Sequence, residues 1–240
     1  MLEVKNLKKR FGDFEAVKGI SFSVKKGEVL GFLGPNGAGK STTMRMITGF
    51  LPPTSGTAVI DGHDIALEPV AAKAAIGYLP ESAPSYRAMV VEDYLTFIAE
   101  IRGFTGAAAR DAVARVIEKA RLAPVARKTI ETLSKGYRQR TCFAQAIIHD
   151  PKVLIMDEPT DGLDPNQKFT VSEMIKEMAA EKAIVISTHI LEEVDAVCTR
   201  AIVIADGEIK ADGTPAQLKA MDPSGRLDVV FRNLTKGGAQ

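Results

Sequence analysis

The sequence predicts an α/β fold: a mostly parallel sheet, an antiparallel β side sheet and an inserted helical subdomain. Three observations carry that prediction. Buried-type strands alternate with helical stretches at both ends of the chain, the pattern of a parallel sheet with crossover helices. The earliest strand patterns stand close together with no helix between them, as antiparallel neighbours do. Between Gly77 and Pro151 the periodicity is helical, with no strong strand candidate.

Taken in order, residues 2–5 and 15–24 read as strands ending in turns. Lys26-Gly27 leads into EVLGFLG, a buried strand, followed by a glycine-rich loop and a helix from Lys40 to about Gly49. Pro52-Pro53 and Ser55-Gly56 mark a loop, and TAVIDGHDI reads as a strand turning at Asp61-Gly62. Apolar residues recur every three or four positions over 91–103 and 107–121, which predicts two amphipathic helices. After Pro151 the alternation resumes: KVLIMD as strand, PNQKFTVSEMIKEMAAEK as helix, AIVIS as strand, ILEEVDAVC as helix. AIVIADGEIKADG closes the series as a hairpin turning at Asp206-Gly207. One domain is expected over residues 1–222, with the helical subdomain at about 82–150 and a short tail, fraying at its end, over 223–240.

Composition narrows the function classes. The 240 residues carry 31 Lys+Arg against 30 Asp+Glu, a net charge of +1, so nothing draws the chain globally to nucleic acid. Lys8, Lys9 and Arg10 form a short basic run that reads as a solvated strand end. The longest uncharged stretch, Met46 to Ile60, is interrupted by Gly and Pro and is too short to span a membrane. The N-terminal residues lack the apolar core of a signal peptide. Cys142 and Cys198 cannot build a disulfide framework and read as buried thiols. A soluble protein of a reducing compartment is expected, with any membrane role supplied by a partner.

Two motifs carry chemistry. Gly34-Pro35-Asn36-Gly37-Ala38-Gly39-Lys40-Ser41 fits the phosphate-loop pattern G-x-x-x-x-G-K-[ST] between a strand and a helix. Its glycines let consecutive backbone N–H groups face an anion, and the helix N-terminus adds partial positive charge. Lys40 is expected to reach the β- and γ-phosphates of ATP, Ser41 to ligate Mg2+, and Thr42 to touch the α-phosphate. The second motif is Val153-Leu154-Ile155-Met156-Asp157-Glu158, a buried strand delivering two acids at its C-terminal end, where open α/β sheets bind ligands. Asp157 is placed to hold Mg2+ through water, and Glu158 to polarise the attacking water as general base.

With these in place, Leu133-Ser134-Lys135-Gly136-Tyr137-Arg138-Gln139-Arg140 resembles the LSGGQ-x-x-R signature of ABC transporter ATP-binding subunits. By itself the segment reads as a helix cap followed by a basic face. The resemblance covers nearly the whole chain and implies the ABC ATPase fold on a P-loop NTPase core. It implies that two such domains pair head to tail, Ser134 and Gly136 meeting the nucleotide on the partner's phosphate loop. Asp164, in Asp161-Gly162-Leu163-Asp164, resembles the residue that communicates across the dimer. His189 resembles the histidine that contacts the γ-phosphate, and Phe11 the aromatic residue that stacks on adenine, with Phe14 its competitor.

The sequence departs from the family at three positions. Glu81 stands where a Gln is usual and is expected as a further oxygen ligand of Mg2+. Tyr137 replaces the Gln of the signature, and Lys135 its first Gly. Lys135 either adds charge near the partner's nucleotide or faces solvent, the default for Lys. YLPE with LSKGYRQR resembles exporter-type subunits that handle drugs, polysaccharides, lipids or gliding motility, and a related branch for copper-enzyme maturation. GRLDVVFRNLTK resembles the closing helix of that group. The resemblance implies an ATP-hydrolysing motor subunit acting on separate polytopic membrane subunits, paired with a second ATPase subunit, identical or related, and peripheral on the cytoplasmic face of the cell membrane. The competing expectation is a soluble, non-transport ABC ATPase for cofactor or complex assembly. A subunit that binds ATP without hydrolysis is disfavoured by the presence of Lys40, Asp157, Glu158 and His189.

Overall fold

The computed structural model describes residues 1–82 and 84–235. Along the chain run β1 (Leu2–Phe11), β2 (Phe14–Val24), β3 (Val29–Leu33), α1 (Lys40–Ile47), β4 (Ser55–Ile60), β5 (His63–Asp64) and α2 (Pro69–Ala74). There follow β6 (Ile76–Leu79), α3 (Val91–Ile101), α4 (Gly106–Lys119), α5 (Lys135–Ile147) and β7 (Val153–Asp157). The chain ends with α6 (Pro165–Ala179), β8 (Ala183–Thr188), α7 (Leu191–Val197), β9 (Arg200–Ala205), β10 (Glu208–Gly213), α8 (Pro215–Lys219) and α9 (Leu227–Thr235).

Two sheets form. The first is antiparallel, in the order β2-β1-β4-β5. The second runs β10-β9-β3-β8-β7-β6 and is parallel except for the edge strand β10. Strands β3, β7 and β8 are buried at every residue, as a parallel sheet covered on both faces requires. Side-chain alternation separates two cores. Val153 and Ile155 of β7 join α1 and the antiparallel sheet on one face. Leu154 and Met156 join α3, α4, α5 and α6 on the other. Each such burial contributes roughly 1.5–3 kcal/mol. The helices expected over 91–103 and 107–121 are α3 and α4, packed with α5 through Val91, Leu95, Val113, Val116 and Phe143.

Two features differ from the sequence expectation. Strand β1 runs on to Phe11 instead of ending at Lys5. Its register shifts between Val4 and Leu7, where Asn6 takes φ 45°, and this bulge breaks the alternation a strand pattern relies on. Strand β6 extends to Leu79, into the stretch from Gly77 that offers no strong strand candidate. Its Gly77 is a packing glycine, because a Cβ there would overlap the carbonyl oxygen of Ala146 on α5. The tail forms α9, whose Leu227, Phe231 and Leu234 pack in a third cluster with β9 and Leu218. The end of the tail expected to fray, residues 236–240, lies outside the described residues.

Cys142 is buried as expected, Cys198 is partly buried, and burial pushes both thiols up to about 12. Lys9 is not simply solvated: its Nζ donates to the carbonyl of Pro52 (2.7 Å) and lies 5.1 Å from the centre of the Phe11 ring. Among the described residues no helix is long and apolar enough to cross a membrane.

Candidate functional site

The C-terminal ends of β3, β6, β7 and β8 converge, and each delivers part of one cleft. Strand β3 hands the chain to the glycine loop and α1, β6 to Glu81, β7 to Asp157 and Glu158, and β8 to His189. The cleft, about 520 Å3, is lined by Phe11, Phe14, Asn36, Gly37, Gly39, Lys40, Ser41, Thr42, Glu81, Glu158, Asp161 and His189, with Ala16 beside them.

The loop is shaped for an anion. Gly39 holds φ +103° at the helix cap, and a Cβ there would come within 2.6 Å of the Ala16 carbonyl oxygen, so both conformation and space require glycine. Helix α1 has no side-chain cap, and an uncapped first turn leaves backbone N–H groups without intrahelical partners. Lys40 is almost fully buried. Its Nζ donates to the carbonyl oxygens of Gly34 (2.7 Å) and Pro35 (3.2 Å) and stands 3.6 Å from Oε1 of Glu158. Gly34 admits no side chain either, since a Cβ would overlap the Ile204 carbonyl oxygen. Pro35 and Ala38 lie on the outer side of the loop, along a second hollow that includes Arg10, Lys18 and Asp206.

The acids are held individually. Ser41 Oγ donates to Oδ1 of Asp157 at 3.2 Å, and the Ser187 hydroxyl donates to the same oxygen. Ser187 also accepts from the backbone N–H of Glu158 through its Oγ (3.1 Å) and its carbonyl (3.2 Å). Glu158 sits at φ +50°, a left-handed conformation that costs a non-glycine residue about 1–2 kcal/mol. This turns its side chain off the strand direction. Its Oε2 lies 2.9 Å from Nδ1 of His189. The turn after β8 is pinned by Thr188, whose Oγ1 donates to Glu193 (2.7 Å) and accepts from the Ile190 N–H (3.0 Å). Nearby, burial first and the Asp157 charge second push the Tyr78 phenol up to about 12, keeping it neutral.

The donor set fits MgATP. Ser41 Oγ and Asp157 Oδ1, already in contact, are hard oxygens of the kind Mg2+ takes. Among the described residues lining the cleft, Lys40 is the one lysine, against the carboxylates of Glu81, Glu158 and Asp161. A triphosphate brought to that balance of charge needs a divalent cation with it. Glu81 is exposed at the rim. Phe11 and Phe14 face each other across the hairpin register and both remain at the rim, half or more exposed.

Gly34, Pro35, Ala38 and Asp157 do not line the cleft themselves but adjoin residues that do, and three further expected residues stand apart from it. Ser134 caps α5, accepting from the Tyr137 N–H at 3.4 Å. Gly136 packs against Gln167, whose Oε1 would lie 2.6 Å from a Cβ. Asp164 caps α6, accepting from the Gln167 N–H at 3.0 Å. In a single chain the visible work of Ser134 and Asp164 is thus helix capping, and that of Gly136 is close packing. Lys135 does not simply face solvent: half-exposed, it pairs with Asp161 at 3.6 Å. Asp161 and Ser187 were missed as site residues. The signal for both was position, three residues after Glu158 and at the C-terminal end of AIVIS.

Comparison with known proteins agrees with this geometry. A protein-family model described as ABC transporter matches residues 17–161. The linearmycin resistance ATP-binding protein LnrL of Bacillus subtilis (strain 168) is 42% identical over 219 residues, covering 91% of this chain and 70% of that protein. The Nod factor export ATP-binding protein I of Burkholderia orbicola (strain AU 1054) is 38% identical over 218 residues, covering 90% of this chain and 72% of that one. A solved structure described as an ATP binding subunit of an ABC transporter superposes with a TM-score of 0.86 at 29% identity, over 98% of this chain and 99% of that chain.

Proposed function

The chain belongs to the ABC transporter family, and from that premise we propose that it is the ATP-hydrolysing motor subunit of an exporter. The observation that carries the reading is the convergence of Lys40, Ser41, Asp157, Glu158 and His189 at the ends of three adjacent parallel strands. Lys40 and the glycine loop bind the triphosphate. Ser41 and Asp157, with Glu81 at the rim, would hold Mg2+, which neutralises phosphate charge when bound. Glu158 accepts the proton of the attacking water, and its carboxylate is aimed by contacts to Lys40 and His189. His189 faces the same cleft and serves the γ-phosphate. Phe11 stacks on the base.

Ser134, Gly136 and Asp164 serve a second ATPase subunit, identical or related, consistent with their standing outside this cleft. Helices α3 to α5 form the subdomain, at about 82–150, that receives separate polytopic membrane subunits, which place the chain on the cytoplasmic face of the cell membrane. Export is supported by relatives named for resistance and for Nod factor export. The test is purification of the tagged chain from gently solubilised native membranes. The reading expects Mg2+-dependent ATP hydrolysis and a co-purifying polytopic protein lacking an ATPase domain of its own. An active ATPase recovered only with soluble partners would sink the transport role.

A further inference from the structure

We propose that Lys135 is a positioning residue for Glu158, acting through Asp161; this rests on the catalytic reading above. Lys135 opens α5, directly after the cap Ser134. Its Nζ lies 3.6 Å from Oδ2 of Asp161. The ammonium also fills the space over Gly162, where φ is +62° and a Cβ would overlap Nζ. The backbone N–H of Asp161 donates to the carbonyl of Glu158 at 3.2 Å, and that of Leu163 to Thr160 at 3.2 Å. The path therefore runs from the ammonium to the Asp161 carboxylate, through one tight turn, to the backbone of Glu158.

A second strut lies beside it. Gln139 Nε2, one turn along α5, donates to the Pro159 carbonyl at 3.1 Å and is buried. Left-handed Glu158 needs such support, because a strained backbone persists only where its surroundings over-determine it. The first turn of α5 thus braces the turn that presents the general base. A Gly at position 135 would keep the Gln139 strut and lose the ionic one.

The chemistry sets the scale. Both side chains are about half exposed, so the pair is worth little to stability, and its effect is on geometry. Misplacing a reacting group costs rate without costing substrate affinity. At low ionic strength, Lys135→Ala and Asp161→Asn should each lower kcat about two- to fivefold, the reach of a half-exposed pair. MgATP affinity of the full chain should be unchanged in Lys135→Ala, whose side chain does not line the cleft. The double variant should be no slower than the slower single variant, and Lys135→Arg should restore the rate. The advantage of the native pair should shrink as salt screens it.

The proposal is overturned if the two losses multiply, as they would were Lys135 and Asp161 to act on different nucleotides. It is also overturned if Lys135→Ala turns over at the native rate, or loses affinity in step with kcat. A native chain without Mg2+-dependent turnover would overturn the catalytic reading instead, before any variant is made.

Discussion

Replacing Glu158 with Gln removes one charge and almost no volume. The side chain is 10% exposed, so the amide occupies the same buried site. It keeps a hydrogen-bonding partner for His189 Nδ1, now 2.9 Å from the carboxylate. Two things are lost. One is the proton acceptor, and a general base contributes about 10²–10⁴ in rate, or roughly 3–5.5 kcal/mol of barrier. The other is the attraction to Lys40 across 3.6 Å. At an effective dielectric of ~20 that gross attraction is roughly 4–5 kcal/mol, largely offset by desolvation of the two groups. With the carboxylate gone, Lys40 no longer has an internal anion competing with phosphate. Glu158→Gln should therefore bind MgATP at least as tightly as the native chain while phosphate release falls at least about a hundredfold. ATP-bound dimer should accumulate in size-exclusion chromatography. Single-turnover phosphate release and equilibrium binding of a fluorescent nucleotide separate the two effects. Turnover within about threefold of native, far short of the loss a general base implies, would refute the assignment.

Two further outcomes follow from the same geometry. Ser187→Ala removes the hydroxyl that bridges Asp157 and the Glu158 N–H. It should cost about 1.5–3 kcal/mol of stability, because the Asp157 carboxylate loses a hydroxyl donor while the Glu158 N–H keeps the Ser187 carbonyl, and should raise the Mg2+ concentration for half-maximal activity; an unchanged Mg2+ requirement would argue against the bridge. His149 is held neutral, its pKa brought down to about 4, chiefly by burial and then by Arg102, while its Nε2 bonds the Ile76 carbonyl at 2.8 Å. The unfolded chain takes up that proton near pH 6.5, so the contribution is intact above about 6.5 and lost as pH falls toward about 4, roughly 3 kcal/mol in all. Urea midpoints measured near neutrality and near pH 5 should fall less for His149→Gln than for the native chain.

The phosphate loop and the acidic strand were legible because local sequence dictates them. Gly39 must be glycine to hold φ +103°, and a run of four apolar residues into Asp157-Glu158, too short for a helix, fits a buried strand end. The hairpin at Asp206-Gly207 was equally local. Strand β6 was not legible. Its four residues carry no period of their own, and the reason for Gly77 is visible only with α5 lying against it. Asp161 was passed over for a related reason: an acid in a turn is ordinary until the turn folds it into the cleft.

The residue pattern thus fixed most of the strand and helix order, β6 excepted, together with the anion-binding loop and the two acids at a strand end. These follow from backbone preference and short-range spacing. Tertiary structure alone decided which of those groups share a cleft. The Ser41 contact with Asp157 spans 116 positions, and Glu158 is aimed by Lys40 and by His189, 31 residues on. It also decided that Lys135, at the start of α5, pairs with Asp161 in the turn behind that acid. Such contacts depend on how strands separated in sequence lie side by side in the sheet, and no local pattern encodes that neighbourhood.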